Sequence, residues 1–346
     1  MGSGPVLVAM SGGVDSSVAA ALLVEAGREV TGVTLKLWGG ESDSGCCSVA
    51  DVEDARRVAA QLSIPHYVFN FVDDFESQVV GPYVDAYAAG RTPNPCVECN
   101  RSVKFGRLLE RADAMEFAAV ATGHHARVWR DADGRWRLGR GADRVKDQSY
   151  VLYMLGQHEL RRVLLPVGEM TKADVRAHAA RLGLRTAGKP ESMDVCFISR
   201  REGRQRFLAS RRPGRPGPVV DAEGEVVGRH EGIAAFTIGQ RRGLGVTAGE
   251  RRYVLDVDAS TATVTIGRRD DLLCDTVPVT GLCFVDGLVP PPDRGVLVQV
   301  RAHGAPLPGR LDGNAVRFER PQARVAPGQV VALYDGDILL GGGLAA

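Results

Sequence analysis

Long apolar runs are missing from this chain of 346 residues. Its first apolar stretch, Val6–Met10, is far shorter than the roughly 20 residues of a membrane span and too short for the core of a secretory signal. The expectation is therefore a cytoplasmic protein with no membrane partner. A strong global charge is missing too: the formal net charge is +1, so any surface for nucleic acid has to come from local basic clusters. Lysine is scarce, with arginine far outnumbering it; arginine suits bidentate phosphate contacts. There is no internal repeat. Nor is there an even cysteine set: the seven cysteines, Cys46, Cys47, Cys96, Cys99, Cys196, Cys274 and Cys283, argue against a disulfide framework and for catalysis, metal binding or burial. What is present suffices for real cores, since 44% of residues are hydrophobic, and the length predicts two or three units.

The first half alternates strand and helix patterns. Strands are expected at Pro5–Met10, Glu29–Trp38, His66–Phe71 and Phe117–Thr122. Helices are expected at Ser16–Ala26, Ser48–Leu62, Asp73–Ala89, Lys104–Met115 and Thr171–Leu182. This alternation implies an α/β fold, a Rossmann-like parallel sheet with helices on both faces. The pattern changes near residue 200. Residues 200–217 hold seven arginines and end in alternating Gly and Pro, which reads as a solvated linker or an RNA contact. Beyond it no long helical pattern is seen. Short runs at Glu225–Gly228, Tyr253–Val257, Thr263–Ile266, Val296–Arg301 and Val330–Tyr334 predict two small β-barrels. The domains expected are 1–200, 201–270 (central, β-rich, with the Arg-rich linker) and 271–346 (C-terminal β-barrel).

Ser11-Gly12-Gly13-Val14-Asp15-Ser16 follows the first strand and opens the first helix. Backbone amides of such a turn, at the positive end of a helix, cradle phosphate oxygens. Gly12 and Gly13 permit close approach, Ser11 and Ser16 add hydroxyls, and Asp15 is a candidate Mg²⁺ ligand. The string is neither a Walker loop nor a dinucleotide fingerprint; it resembles the SGGxDS loop of ATP pyrophosphatases, which transfer AMP to a substrate oxygen.

Gly90–Asn100 (GRTPNPCVECN) reads as an ordered non-helical loop ending at the Lys104 helix. Cys99 then lies near a helix N-terminus with Arg101 and Lys104 close by, a setting that favours thiolate and makes it a candidate nucleophile. Cys96 and Cys99 form one C-x-x-C, compatible with redox chemistry, zinc or an iron–sulfur cluster; a second pair, as structural zinc needs, is missing. Cys196, in Glu191–Ile198, reads locally as a core cysteine in a loop entering a short strand.

Taken together the motifs resemble the tRNA-specific 2-thiouridylases, the MnmA/TrmU family, over nearly the whole length. They are AMSGGVDSS (Ala9–Ser17), GRTPNPCVECN (Gly90–Asn100), ATGHHAR (Ala121–Arg127), KDQSYVLY (Lys146–Tyr153), LPVGEM (Leu165–Met170), VCFI (Val195–Ile198), TIGQRRGLG (Thr237–Gly245), APGQ (Ala326–Gln329) and LLGGG (Leu339–Gly343). The resemblance implies an ATP-pyrophosphatase (PP-loop) domain, a small central domain and a C-terminal β-barrel. It implies that ATP, with Mg²⁺, adenylylates O2 of the wobble uridine of tRNA, and that a persulfide sulfur then displaces AMP at C2. By the same pattern Cys196 carries the persulfide, and Cys99 is the nucleophile that ends disulfide-bonded to it. Such a bond requires Cα atoms roughly 4.4–6.8 Å apart. Ala9, Met10, Ser11, Gly12, Gly13, Val14, Asp15, Ser16, Leu35 and Gly123 are implied to line the ATP site. Asn94, Pro95 and Cys96 are implied to meet a flipped-out base. His124, Lys146, Asp147, Gln148, Arg301 and Gln329 are implied to contact tRNA, of Lys, Glu and Gln acceptor type. A cysteine desulfurase or sulfur-relay protein is the implied donor.

Two departures matter. Cys96 stands where some members carry Asp, leaving the acid–base role open, and Ala302 stands where an aromatic residue is common. Three further readings stay open. Cys96, Cys99 and Cys196 are enough to hold a cluster of the 4Fe–4S type that activates sulfide. An ATP-pyrophosphatase ligase acting on a small metabolite would have no use for Cys99 or Cys196. A non-catalytic tRNA-binding protein would not need the complete ATP loop.

Overall fold

The computed structural model describes residues 4–39, 48–190, 195–199, 201–246 and 251–346; Cys46, Cys47 and the stretch Glu191–Asp194 lie outside the described residues. The N-terminal part contains β1 (Val6–Ala9), β2 (Val30–Lys36), β3 (His66–Asn70), β4 (Ala119–Ala121), β5 (Ala126–Arg130), β6 (Trp136–Arg140) and β7 (Val163–Leu164). Five of these form a parallel sheet in the order β3-β2-β1-β4-β7. Side chains alternate across a strand, and β1 shows the consequence. Leu7 enters one core with Phe75 and Leu108, while Val6 and Val8 enter another with Val18, Val58 and Val175. The two-faced burial expected of an all-parallel sheet follows.

The local reasons for the helices are legible. Ser48 caps helix Val49–Gln61 by accepting from Asp51 N at 3.1 Å, and Thr171 caps Lys172–Arg181 reciprocally with Asp174. The expected helix at 73–89 is a continuous run built from Val72–Phe75, Glu76–Val80 and Gly81–Ala88, its middle turns widened. The expected helix at 104–115 begins earlier, at Pro95, because Asn94 is an N-cap and Pro95 occupies the first helical position.

The segment read as a linker contains a helix, Gly203–Arg211. Its Phe207 and Leu208 are buried, and Phe207 stacks with Trp38 and Phe197 at centroid distances of 6.2 and 5.4 Å. Its arginines remain exposed. Next come β8 (Gly217–Val220), β9 (Val226–His230), β10 (Tyr253–Asp258) and β11 (Thr263–Gly267), a four-stranded sheet in the order β10-β11-β8-β9. The last six strands are β12 (Leu273–Phe284), β13 (Gly295–Gln299), β14 (Leu307–Asp312), β15 (Ala315–Ala323), β16 (Val330–Asp335) and β17 (Ile338–Ala345). They run β12-β15-β14-β13-β16-β17, and β17 pairs back on β12, closing a six-stranded antiparallel barrel. Closure removes the free edges.

The hairpin β5–β6, which the sequence pattern did not single out, leaves the parallel sheet. Its β6 pairs with β17 through Gly139↔Ile338 and Leu138↔Leu339. A second joint lies at Thr92. Its N–H donates to Pro327 O of the barrel at 2.7 Å and its hydroxyl to Thr237 of the central part at 3.4 Å. Among the described residues no helix is long and apolar enough to cross a membrane.

Candidate active site

The loop after β1 is built for close approach. Gly12 has φ +71°, and a Cβ there would sit 2.3 Å from Asp51 O. Gly13 is the N-cap of helix Val14–Glu25. The serines brace the turn: Ser11 N–H donates to Ser16 Oγ at 3.1 Å, and Ser17 Oγ donates to Gly13 O at 2.8 Å. Gly123, after β4, lies directly on the helix start; a Cβ on it would meet Ser16 N at 2.6 Å and Asp15 C at 2.7 Å. Leu35, next to last in β2, and Met10 are buried, and Ala9 is half-buried. The sheet thus brings Ala9–Ser16 and Gly123 together at the carboxyl ends of neighbouring parallel strands, where ligands of open α/β sheets bind.

Two lysines that the motif reading passed over complete this loop. Lys172 Nζ donates to Asp15 Oδ1 at 2.7 Å and Oδ2 at 2.6 Å, and His125 Nε2 meets Oδ1 at 3.1 Å. Burial pushes the Asp15 carboxyl up, but the bonds from His125 and Lys172 outweigh it and hold the pKa below its ordinary value. Lys189 Nζ donates to Gly12 O at 2.9 Å and to Asp51 and Asp54 at 2.7 Å. Burial alone would lower its pKa; the two carboxylates raise it. The signal that could have found them is composition: a chain with so few lysines sets two of them against one loop. Mg²⁺ is held elsewhere by one or two carboxylates together with substrate phosphates. Asp15 and the loop hydroxyls fit that donor set, and Lys172 and His125 fix the orientation of the carboxylate.

The thiols are placed differently from the sequence expectation. Asn94 Oδ1 accepts from Cys96 N–H at 3.1 Å, so Cys96 occupies the first helical turn. Cys99 lies one turn further on, at the start of a widened stretch, Cys99–Arg107, and is only 6% exposed. Cys99 is therefore inside the helix rather than at its N-terminus, because the Asn-Pro pair starts the helix upstream. Widened turns of this kind recur at functional sites. Cys196 is half-buried in a turn, not entering a strand: Ile198 N–H returns to Val195 O at 3.3 Å. The turn is pinned by Phe197, whose ring contacts Trp38, Phe75, Tyr83 and Phe207 at 6.0, 5.6, 5.4 and 5.4 Å. Cys99 is part of the hydrophobic cluster that contains Phe197, and Cys196 packs against that same cluster. Among the described residues no three or more of His, Cys, Asp and Glu form a group able to hold a metal ion. Cys96, Cys99 and Cys196 do not form such a group.

The residues expected to meet RNA fall into two groups. His124 is buried, with Thr122 Oγ1 at 2.7 Å from Nδ1 and the Phe105 ring at 5.8 Å. Burial first, then Lys104 and His125, push its pKa well below the ordinary value, so the ring is neutral. Lys146 is half-buried and Gln148 exposed, while Asp147 is buried. The Asp147 carboxylate accepts from Arg140 at 2.9 Å, from Gly141 N–H and Ser149 N–H at 3.0 Å, and from Ser149 Oγ at 2.9 Å. It frames the loop from beneath instead of facing solvent. The second group is on the barrel. Arg301 is exposed, and Gln329 donates its side-chain amide to Thr92 O, two residues before Asn94.

Three stretches match known sequence families. Residues 4–200 match the family described as a tRNA methyl transferase HUP domain, 205–268 a tRNA methyl transferase PRC-barrel domain, and 286–345 an aminomethyltransferase beta-barrel domain. A tRNA-specific 2-thiouridylase MnmA of Roseiflexus sp. (strain RS-1) is 48% identical over 369 aligned residues, covering 99% of each chain. One from Chloroflexus aurantiacus (strain ATCC 29366 / DSM 635 / J-10-fl) is 49% identical over 351, covering 99% of this chain and 98% of the other. Among solved structures, a 4-thiouridine synthetase–RNA complex with bound ATP overlays with a TM-score of 0.38 and 19% identity, over 56% of this chain and 44% of that one; an overlay at that level says nothing about function.

Proposed function

Because the chain belongs to the tRNA-specific 2-thiouridylase family, we propose that it adenylylates O2 of the wobble uridine and replaces that oxygen with sulfur carried by Cys196. The enzyme is a tRNA-uridine 2-sulfurtransferase; the family descriptions speak of methyl transfer, whereas a chain holding both a phosphate cradle and a pair of thiols on one hydrophobic cluster suits activation and sulfur donation. Two observations support the reading: a glycine turn at a helix start shaped for phosphate, and Cys99 and Cys196 sharing one hydrophobic cluster although 97 residues separate them in sequence.

In the first half the uracil O2 attacks the α-phosphorus of ATP, the bond to the bridging oxygen breaks, and pyrophosphate leaves with the electron pair. The amides after Gly12 and Gly13 bind the phosphates, and Asp15 with the loop hydroxyls would hold Mg²⁺. Bound there, Mg²⁺ neutralises charge on the phosphates. In the second half the outer sulfur of the Cys196 persulfide attacks C2 and AMP leaves, a far better leaving group than oxide. The Cys99 thiolate then attacks the Cys196 sulfur, which releases the thiolated base and joins the two cysteines. External thiol must reduce that disulfide before the next turnover. A persulfide-carrying desulfurase or relay protein is the donor class this chemistry needs, and tRNAs for Lys, Glu and Gln in the cytoplasm are the substrates we expect. Burial of Cys99 supports a step shielded from water, which would otherwise hydrolyse the adenylylated base.

The test is a thiolation assay with unmodified tRNA, ATP–Mg²⁺, labelled sulfur and a cysteine desulfurase. Wild type, Cys99→Ser and Cys196→Ser are compared, with the iron content of each preparation measured. Product from iron-free wild type and none from either variant is the expected result. Product only from iron-loaded protein replaces the persulfide route with a cluster. Full activity of both variants, or AMP release that does not depend on tRNA, overturns the assignment.

A further inference from the structure

Resting on that reading, we propose that Lys172 and His125 are positioning residues that couple the nucleotide loop to the RNA-contact loop at 143–148, so that ATP and tRNA bind cooperatively. Each residue joins the two loops by a different route. Lys172 holds Asp15 with its ammonium, at 2.7 and 2.6 Å, and its own backbone N–H donates to Asp143 Oδ2 at 2.9 Å. Asp143 in turn accepts from Val145 N–H at 3.0 Å and Lys146 N–H at 3.2 Å, setting the path of the chain at Lys146. His125 meets Asp15 Oδ1 through Nε2 at 3.1 Å, while its backbone exchanges two bonds with Gln148. Gln148 N–H donates to His125 O and His125 N–H donates to Gln148 Oε1, both at 2.9 Å. The His125 side chain is 4% exposed, and its Nδ1 has no hydrogen-bond partner among the described residues. Among the described residues the polar contact of the ring is to Asp15.

Both routes converge on one carboxylate in the phosphate cradle and diverge onto the two ends of Lys146–Gln148. A polyphosphate arriving beside Asp15 competes for the Lys172 ammonium and changes the charge that His125 faces. A response that shifts the backbone of either residue reaches Asp143 or Gln148 directly, because that backbone makes the second contact. Linkage then requires the effect to be reciprocal: whatever ATP does to tRNA affinity, tRNA does to ATP affinity.

The test measures the Kd of unmodified substrate tRNA by fluorescence anisotropy, with and without α,β-methylene ATP and Mg²⁺, an analogue that binds but cannot transfer AMP. Wild type is expected to bind tRNA about fivefold tighter or more with the analogue. Lys172→Met, His125→Ala and Asp143→Asn are expected to bring that ratio to within about twofold of one. Asp143→Asn leaves both contacts to Asp15 untouched, so it reports the relay even if the other two variants lose stability; melting curves identify any that do. A wild-type ratio near one overturns the coupling, as does a wild-type ratio retained in folded Asp143→Asn. Absence of tRNA binding in every state overturns the proposed function and this inference with it. Bound tRNA with a ratio of one overturns the coupling alone.

Discussion

Gly123→Ala adds one methyl group where β4 meets the helix start of the proposed nucleotide site. That methyl would lie 2.6 Å from Ser16 N, 2.7 Å from Asp15 C and 3.0 Å from Asp15 Cβ, where ordinary contact begins near 3.4 Å. About 0.8 Å must be absorbed, and two of the three atoms are backbone at the start of helix Val14–Glu25, not the end of a flexible side chain. Gly123 is not among the glycines with left-handed backbone, so the substitution carries no conformational penalty of its own. Overpacking of this kind costs roughly 1–3 kcal/mol. The movement falls on the amides that would bind phosphate, so a loss of that size appears as about a 5- to 150-fold rise in the Kd for ATP. Calorimetric titration with the non-transferable analogue measures it, with the tRNA Kd in the absence of nucleotide as a control that should stay within about twofold of wild type. An ATP Kd equal to wild type, in a protein with an unchanged melting curve, would refute the identification of this loop as the phosphate site.

Two further outcomes follow from the packing. Phe197→Ala removes a ring that touches four other aromatic rings beside Cys196. It should cost about 3–5 kcal/mol and lower kcat for thiolation while the KM for ATP holds. Phe197→Leu should recover most of both, and equal kcat in Phe197→Ala would show that the turn does not depend on this anchor. His124 is buried neutral with a depressed pKa, so the unfolded chain binds a proton there that the folded chain refuses. Its contribution is fully present above the unfolded value of 6.5 and declines as pH falls, by at most about 1.4 kcal/mol per unit from this one group. Melting of wild type and His124→Gln between pH 7 and pH 5 checks it: the wild-type curve should fall more steeply, and parallel curves would contradict a buried neutral ring.

Reading the chain left some elements legible and others not. The parallel strands and their capped helices follow from periodicity and from Ser48 and Thr171, which act within one turn of themselves. The early start of the Cys96–Cys99 helix is also written locally, in the Asn94-Pro95 pair, although the prolines of Gly90–Asn100 by themselves predict a loop. Helix Gly203–Arg211 was hidden because its charged face dominates its composition; Phe207 and Leu208 matter only once Trp38 and Phe197 are beside them. The same holds for Asp147, which looks like a polar loop residue until Arg140, Ser149 and Tyr334 surround it.

The phosphate loop belongs to the chain's own local grammar. A short strand, two glycines and a helix start form it from neighbouring residues, and its internal bonds, Ser11 N–H to Ser16 Oγ and Ser17 Oγ to Gly13 O, span no more than five positions. The thiol pair and the Asp15 relay do not. Cys99 and Cys196 reach one hydrophobic cluster from distant positions, and Lys172 meets Asp15 across 157 residues. Hydrogen bonding and periodicity act over a few positions and so can be read in order. Contacts between remote segments exist because burying Phe197, Phe207 and the sheet faces leaves few ways to pack them, and that choice is made by the whole fold.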